Sequence, residues 1–269
     1  MKRTLDYVWS PQLRNRRTVD VYLPDSYGAG RERFPVVYMQ DGQNLSDPET
    51  AFAGTWDLEA TLDRLAARGR EAIVVGVHHA GVQRLAEYSP FPDPRHGGGL
   101  ADQYLSFLVD TLKPRIDRLF RTRRDRDATA ILGSSMGALV SLYAFFHQPT
   151  VFGAAGVMSP ALWFGGRHVF DDIASSPTPT GRIYLDVGAL EGAATLKDTR
   201  RLARLLARKG FTRGRRTSVG RESGARRSSP SRRRPELAMV RYVEDARARH
   251  TETAWAERLE GAMDFLLPQ

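Results

Sequence analysis

Residues 128–146 read ATAILGSSMGALVSLYAFF. A short aliphatic run closes at Leu132, a longer one rich in Ala, Leu and Val opens near Met136, and Gly133, Ser134, Ser135, Met136 and Gly137 stand between them. The first run has the length of a strand buried on both faces, and the second has that of a buried helix. In this strand–turn–helix setting, Gly-x-Ser-x-Gly lifts its central serine, Ser135, above a sheet at the positive end of the following helix. The glycines fit a sharp turn where neighbouring backbone passes close. The bare five-residue pattern is weak, since Gly and Ser also ease ordinary turns; the strand before it and the helix after it carry the weight. Ser134 is expected only to bond locally.

Working outward, short apolar runs alternate with amphipathic ones, as in a mostly parallel sheet covered by helices. Strands are expected at 18–23, 36–39, 72–77, 128–132, 153–158, 182–187 and 238–242. Helical spacing covers 58–68, 100–120, 202–209 and 253–267, with Pro114 kinking or splitting the second. The expectation is one α/β domain spanning 1–269, with about eight strands flanked by helices. The stretch 78–99 follows a strand's carboxyl end without periodicity, and its tail, PFPDPRHGGG, is expected to form a flap over a cleft.

A serine hydroxyl needs a base, and in this architecture an acid and then a histidine follow the nucleophile in the chain. Of six histidines three follow Ser135: His147 closes the helical run that starts just after the serine, and His168 and His250 lie further on. His168 is expected on a surface helix. His250 lies between the last strand and the last helix, where a loop leans back over the serine, and is the candidate base. For the orienting acid, RIYLDVGALEGA offers Asp186, inside the strand run, and Glu191, in the loop beyond it; Glu191 has the better reach, with Asp186 the alternative. An oxyanion site needs two backbone N–H groups. Met136, after the serine, supplies one, and Gln43 in the loop DGQN supplies the other, with Gly42 allowing the turn.

The chain has 269 residues, 41% hydrophobic and 26% charged, which excludes a wholly disordered, collagen-like or coiled-coil protein. The absence of cysteine excludes a disulfide scaffold and thiol nucleophiles. No apolar run approaches the roughly 20 residues of a membrane span, and no apolar stretch follows the basic start MKRTLDYVWSPQ, so a soluble, cytoplasmic protein is expected. The formal charge of +9 is concentrated in residues 212–235, TRGRRTSVGRESGARRSSPSRRRP, with nine arginines and one glutamate. With almost nothing apolar to bury, this insert is expected to be a mobile surface loop, and nucleic-acid or acidic-surface binding through it is the lesser alternative.

In order along 18–267, the segments VVYMQDGQNLSD, VGVHHAGVQRLAEYSP, ILGSSMGALVSLYA, VFGAAGVMSPALWFG, IYLDVGALEG and HTETAWAERLEGAMDFL resemble one esterase branch of the α/β-hydrolases. That branch includes enterobactin-type siderophore esterases, feruloyl and acetyl-xylan esterases, esterase D and the mycolyltransferases. The resemblance implies an α/β-hydrolase fold and a Ser135–Glu191–His250 triad with oxyanion amides at Met136 and Gln43. Two positions depart from it: Gln40 stands where the family commonly has His, and His78 where an acidic residue is expected.

Trp163 and Phe164, with Tyr88 and Phe91 of the flap, are candidates to line an acyl or aromatic pocket. Arg84 and Glu87 are expected to pair and hold the flap, or Arg84 to contact an anionic substrate. The expected activity is carboxylic-ester hydrolysis of a small molecule through an acyl-serine, with no metal or organic cofactor. The alternatives are acyl transfer or thioester hydrolysis on the same residues.

Overall fold

The computed structural model describes residues 1–51, 53–214 and 237–268. Nine strands form one sheet: β1 (Lys2–Ser10), β2 (Asn15–Tyr22), β3 (Val36–Gln40), β4 (Ile73–Val77), β5 (Thr129–Ser134), β6 (Ala154–Met158), β7 (Gly181–Gly188), β8 (Thr212–Arg213) and β9 (Ala238–Asp245). Their spatial order is β1-β2-β4-β3-β5-β6-β7-β9-β8. β1 and β2 form an antiparallel hairpin, β2 also pairs antiparallel with β4, and every other pairing is parallel. Every residue of β3, β4, β5 and β6 is buried, as continuous apolar runs demand when helices cover both faces.

The helices are α1 (Leu58–Ala66), the single turn α2 (Arg84–Glu87), α3 (Ala101–Ser106), α4 (Lys113–Leu119), α5 (Met136–His147), α6 (Val169–Ser175), α7 (Ala193–Arg208) and α8 (Glu252–Leu266). Strand alternation divides the core. Val36, Tyr38 and Ile131 face the cluster that holds α3 to α7, whereas Val37, Met39 and Leu132 face the one holding α1 and α8. In α5 all residues from Met136 to Phe146 are buried, so this helix is the hub of its layer.

Four expectations change. Strand β1 went unread because it is mostly exposed and lacks an apolar face; Tyr7, at φ 53°, sits where its register with β2 shifts. The helix expected at 202–209 starts at Ala193, since only its second half carries a strong leucine stripe. The helix expected at 100–120 is α3, a π-helical segment (Phe107–Leu112) and α4. Pro114 lies in the first turn of α4, where its missing N–H costs little. Of the basic insert, 215–235 lies outside the described residues; Thr212 and Arg213 form the short edge strand β8.

Parallel strands bring the segments after β3, β5, β6, β7 and β9 to one edge of the sheet. Gln43, Ser135, Ser159, Glu191 and His250 all lie in those segments.

Candidate active site

Ser135 sits between β5 and α5 at φ 54°, ψ −118°, a conformation that L-residues rarely adopt. Its N–H donates to Met158 O at 3.0 Å, and its carbonyl accepts from Leu139 at 3.1 Å and from Ala161 at 3.1 Å. The flanking glycines permit the turn: a Cβ on Gly133 would lie 2.6 Å from Gly137 C, and one on Gly137 would lie 2.9 Å from Gln40 Cβ. Ser134, buried at the end of β5, makes no side-chain hydrogen bond among those of the described residues.

Glu191 and His250 meet. Glu191 Oε2 lies 2.9 Å from His250 Nδ1. The two loops are stitched together by Ala189 N–H to Asp245 O, 2.8 Å, and Leu190 N–H to Ala248 O, 3.1 Å. Glu191 Oε1 accepts from Gly188 N–H at 2.7 Å and from the Ser159 hydroxyl at 2.5 Å. Burial favours the neutral carboxyl, but the bonds from His250, Ser159 and the Gly188 amide outweigh it and hold Glu191 below its ordinary value. The Glu191 side chain is fully buried while the imidazole is 41% exposed, so the ring is open to solvent or a bound molecule. The His250 ring also stands edge-on to Trp255, centroids 5.0 Å apart. Among the described residues no hydrogen bond joins the Ser135 hydroxyl to His250; such contacts often tighten only when substrate is bound.

Asp186 faces elsewhere. Its carboxylate takes Arg258 Nε at 2.9 Å and the Ser159 N–H at 3.0 Å. Burial pushes its pKa up to about 6 even with Arg258 alongside. The two carboxylates weighed for one role thus occupy different places: Glu191 on the imidazole, Asp186 behind it on an arginine.

Gln43 lies in a 3₁₀ turn (Gly42–Asn44) after β3. The left-handed residue of that turn is Asp41, at φ 54°, rather than Gly42. Gly42 is needed for another reason: a Cβ there would lie 2.4 Å from Gly76 C of β4. Gln40, behind the turn, accepts a hydrogen bond from the Tyr104 hydroxyl through Oε1, and its buried Nε2 has no partner among the described residues.

Arg84 and Glu87 do not pair with each other. Arg84 grips Asp41 through two bonds of 2.7 Å, and Glu87 receives Arg17 of β2 at 2.9 and 3.0 Å and Asn15 at 2.7 Å. On a one-turn helix the two side chains diverge to opposite neighbours. Tyr88 is also not a pocket wall: it is fully buried, and its hydroxyl accepts the Asp41 N–H at 3.2 Å. Trp163, by contrast, is 48% exposed beside His96 of the flap, with centroids 6.0 Å apart, whereas Phe164 is buried. Phe91 is half-buried against Tyr143 and His168. His168 is exposed at the start of α6, and His78 binds Asp20 of β2 at 2.9 Å.

The pattern reading missed Ser159, Trp255 and Arg258. Trp255 Nε1 and Arg258 each donate to Ser159 Oγ at 3.0 Å. Their i, i+3 spacing on α8 was a legible sign that they share a face; their partner was not legible.

A parallel sheet with a left-handed serine elbow and an acid–histidine pair at its carboxyl edge defines an α/β-hydrolase-type esterase fold. The BES protein from Bacillus cereus has the same fold, with a TM-score of 0.73 at 18% identity over 100% of this chain and 95% of that one. The enterobactin esterase FES from Shigella flexneri, solved with 2,3-di-hydroxy-N-benzoyl-glycine, superposes with a TM-score of 0.70 at 17% identity, covering 98% of this chain and 58% of that one. Residues 10–266 match the family described as "Putative esterase", and the chain belongs to that family of carboxylesterase-type hydrolases. It is 29% identical over 216 residues to the uncharacterized protein YbbA of Bacillus subtilis (strain 168), spanning 76% of this chain and 83% of that one. It is 28% identical over 187 residues to an endo-1,4-beta-xylanase/feruloyl esterase of Xylanibacter ruminicola, covering 68% of this chain but only 24% of that protein. Among the described residues no helix is long and apolar enough to cross a membrane.

Proposed function

We propose that this chain hydrolyses small carboxylic esters through an acyl-serine, with Ser135 as nucleophile, His250 as base and Glu191 as orienting acid. The observation that carries the reading is the 2.9 Å contact of buried Glu191 with His250 Nδ1, on the same sheet edge as a serine held at φ 54°. With Nδ1–H directed at Glu191, Nε2 is left as the acceptor. His250 takes the Ser135 proton as Oγ attacks the ester carbonyl, and the carbonyl pair moves onto oxygen. The N–H groups of Met136 and Gln43 stabilise that oxyanion. Collapse expels the alcohol, which receives the proton from His250. Water then attacks the acyl-serine with His250 again as base, releasing the acid and restoring Ser135.

Relatives named as feruloyl and enterobactin esterases, together with the exposed Trp163 beside His96, favour an ester with an aromatic acyl group. Acyl transfer needs only a different acceptor at the second step. Initial rates on p-nitrophenyl acetate, butyrate and octanoate and on methyl ferulate, with Ser135→Ala in parallel, test the reading; activity that persists in Ser135→Ala overturns it. Adding an acceptor alcohol and measuring how product divides between acid and new ester separates hydrolysis from transfer.

A further inference from the structure

The flap and the oxyanion turn are joined by an ion pair that, among the described residues, makes no hydrogen bond to Ser135 or His250. Asp41 is 5% exposed and lies in the left-handed region immediately before Gly42 and Gln43. A non-glycine residue held there is strained and persists only where its surroundings over-determine it. Two contacts fix Asp41, and a third holds Gln43. The Arg84 guanidinium closes on both carboxylate oxygens at 2.7 Å, the geometry a fork shares with a carboxylate. The Asp41 N–H is held by the Tyr88 hydroxyl, whose ring lies beneath the same guanidinium at 5.2 Å. Next along the loop, the Gln43 side chain accepts the His79 N–H at 3.4 Å. Arg84, Tyr88 and His79 all belong to the segment after β4, which is itself pinned to β2 by the fully buried Glu87–Arg17 pair.

We propose that Arg84 and Asp41 are positioning residues: their paired fork and carboxylate latch the flap to the turn that aims the Gln43 amide, so that turnover depends on two side chains that hydrogen-bond neither Ser135 nor His250 among the described residues. This rests on the esterase reading and on Gln43 as an oxyanion donor. The charged and titratable groups around the pair support it. Burial disfavours the Arg84 cation, but Asp41, Tyr88 and Glu252 outweigh burial and hold it firmly protonated, so the latch does not open by losing that proton. His79, whose protonation burial disfavours, adds no standing positive charge against the arginine.

The test uses Arg84→Ala, Arg84→Lys and Asp41→Asn in the full chain, with two readouts. Hydrogen exchange of the peptide spanning 36–45 reads the latch itself, and it is expected to be faster in Arg84→Ala and Asp41→Asn than in the wild type. Kinetics on p-nitrophenyl butyrate read its consequence. A fall in kcat of about tenfold to a hundredfold is expected, with KM within about threefold. Inhibition by a trifluoromethyl ketone, whose serine adduct carries the oxyanion, should weaken in proportion to kcat/KM. Arg84→Lys keeps the charge without the fork and should fall between wild type and Arg84→Ala, and it serves as the folded variant if the others fail to fold.

Unchanged exchange overturns the latch. Faster exchange with unchanged kcat overturns its catalytic role. A loss confined to KM overturns it in favour of direct substrate contact by Arg84. A wild type without turnover instead sinks the esterase reading, and exchange still decides the latch.

Discussion

The Ser159 hydroxyl donates its proton to Glu191 Oε1 at 2.5 Å, while the Ser159 backbone N–H donates to Asp186 Oδ1 at 3.0 Å. One residue thus holds both carboxylates and keeps them in separate places. Ser159 is fully buried, at φ 46°, and its oxygen accepts from Trp255 Nε1 and Arg258, so both its donor and its acceptor capacity are filled.

Ser159→Ala therefore strands the buried Trp255 Nε1 donor, leaves Arg258 Nη2 only its 3.5 Å bond to Asp186 Oδ1, and leaves Glu191 Oε1 only the Gly188 N–H. Leaving a buried donor unpaired costs about 1–3 kcal/mol. Thermal melting should show that loss. Ester hydrolysis should fall with it, because the oriented carboxylate loses one of its anchors. An unchanged melting temperature would contradict the network.

Ser135→Gly should raise stability while it abolishes turnover. Glycine reaches φ 54°, ψ −118° without the Cβ clash that the serine bears. The relief is on the order of 1 kcal/mol, partly offset by the greater freedom of glycine in the unfolded chain. Denaturant titration of Ser135→Gly beside Ser135→Ala isolates the backbone contribution, with the glycine variant expected to be the more stable of the two.

Stability should depend on pH through Glu191. Its folded-state pKa is depressed, so its contribution is present above the ordinary carboxylate range. That contribution is lost as pH falls through the depressed folded value. The margin of wild type over Glu191→Gln should thus be widest near neutrality and shrink in acid, as melting curves across that range would report. Activity should fall sharply in Glu191→Gln at every pH. Asp186→Asn should act mainly on stability, since its partners are Arg258 and the Ser159 amide.

Breaking the Arg17–Glu87 pair with Arg17→Met should destabilise the fold by about 3–5 kcal/mol, because an uncompensated carboxylate is left fully buried. The double variant Arg17→Met, Glu87→Leu should recover much of that loss. Denaturant midpoints of the two variants provide the check; equal midpoints would mean that the charge is solvated after all.

Local pattern alone determined the sheet with its covering helices, the elbow around Ser135, and the placement of His250 between the last strand and helix. Continuous apolar runs and a glycine-flanked serine are short-range signals, because burial on both faces and a tight turn each impose their demands within a few residues. Strand β1 escaped that logic, being a mostly exposed strand with no face to bury. Only tertiary structure decided which partners the charged residues take. Arg84 and Glu87 are three apart in sequence yet bind Asp41 and Arg17, and Tyr88 turns inward to the Asp41 amide instead of outward to a pocket. Asp186 and Glu191 lie on one short segment, but the crossing of α8 gives Arg258 to the first and the His250 loop reaches the second. An ion pair or a hydrogen bond is settled by which chain segment arrives within about 3 Å, and that proximity is a property of the packed sheet edge, where segments far apart in the chain converge.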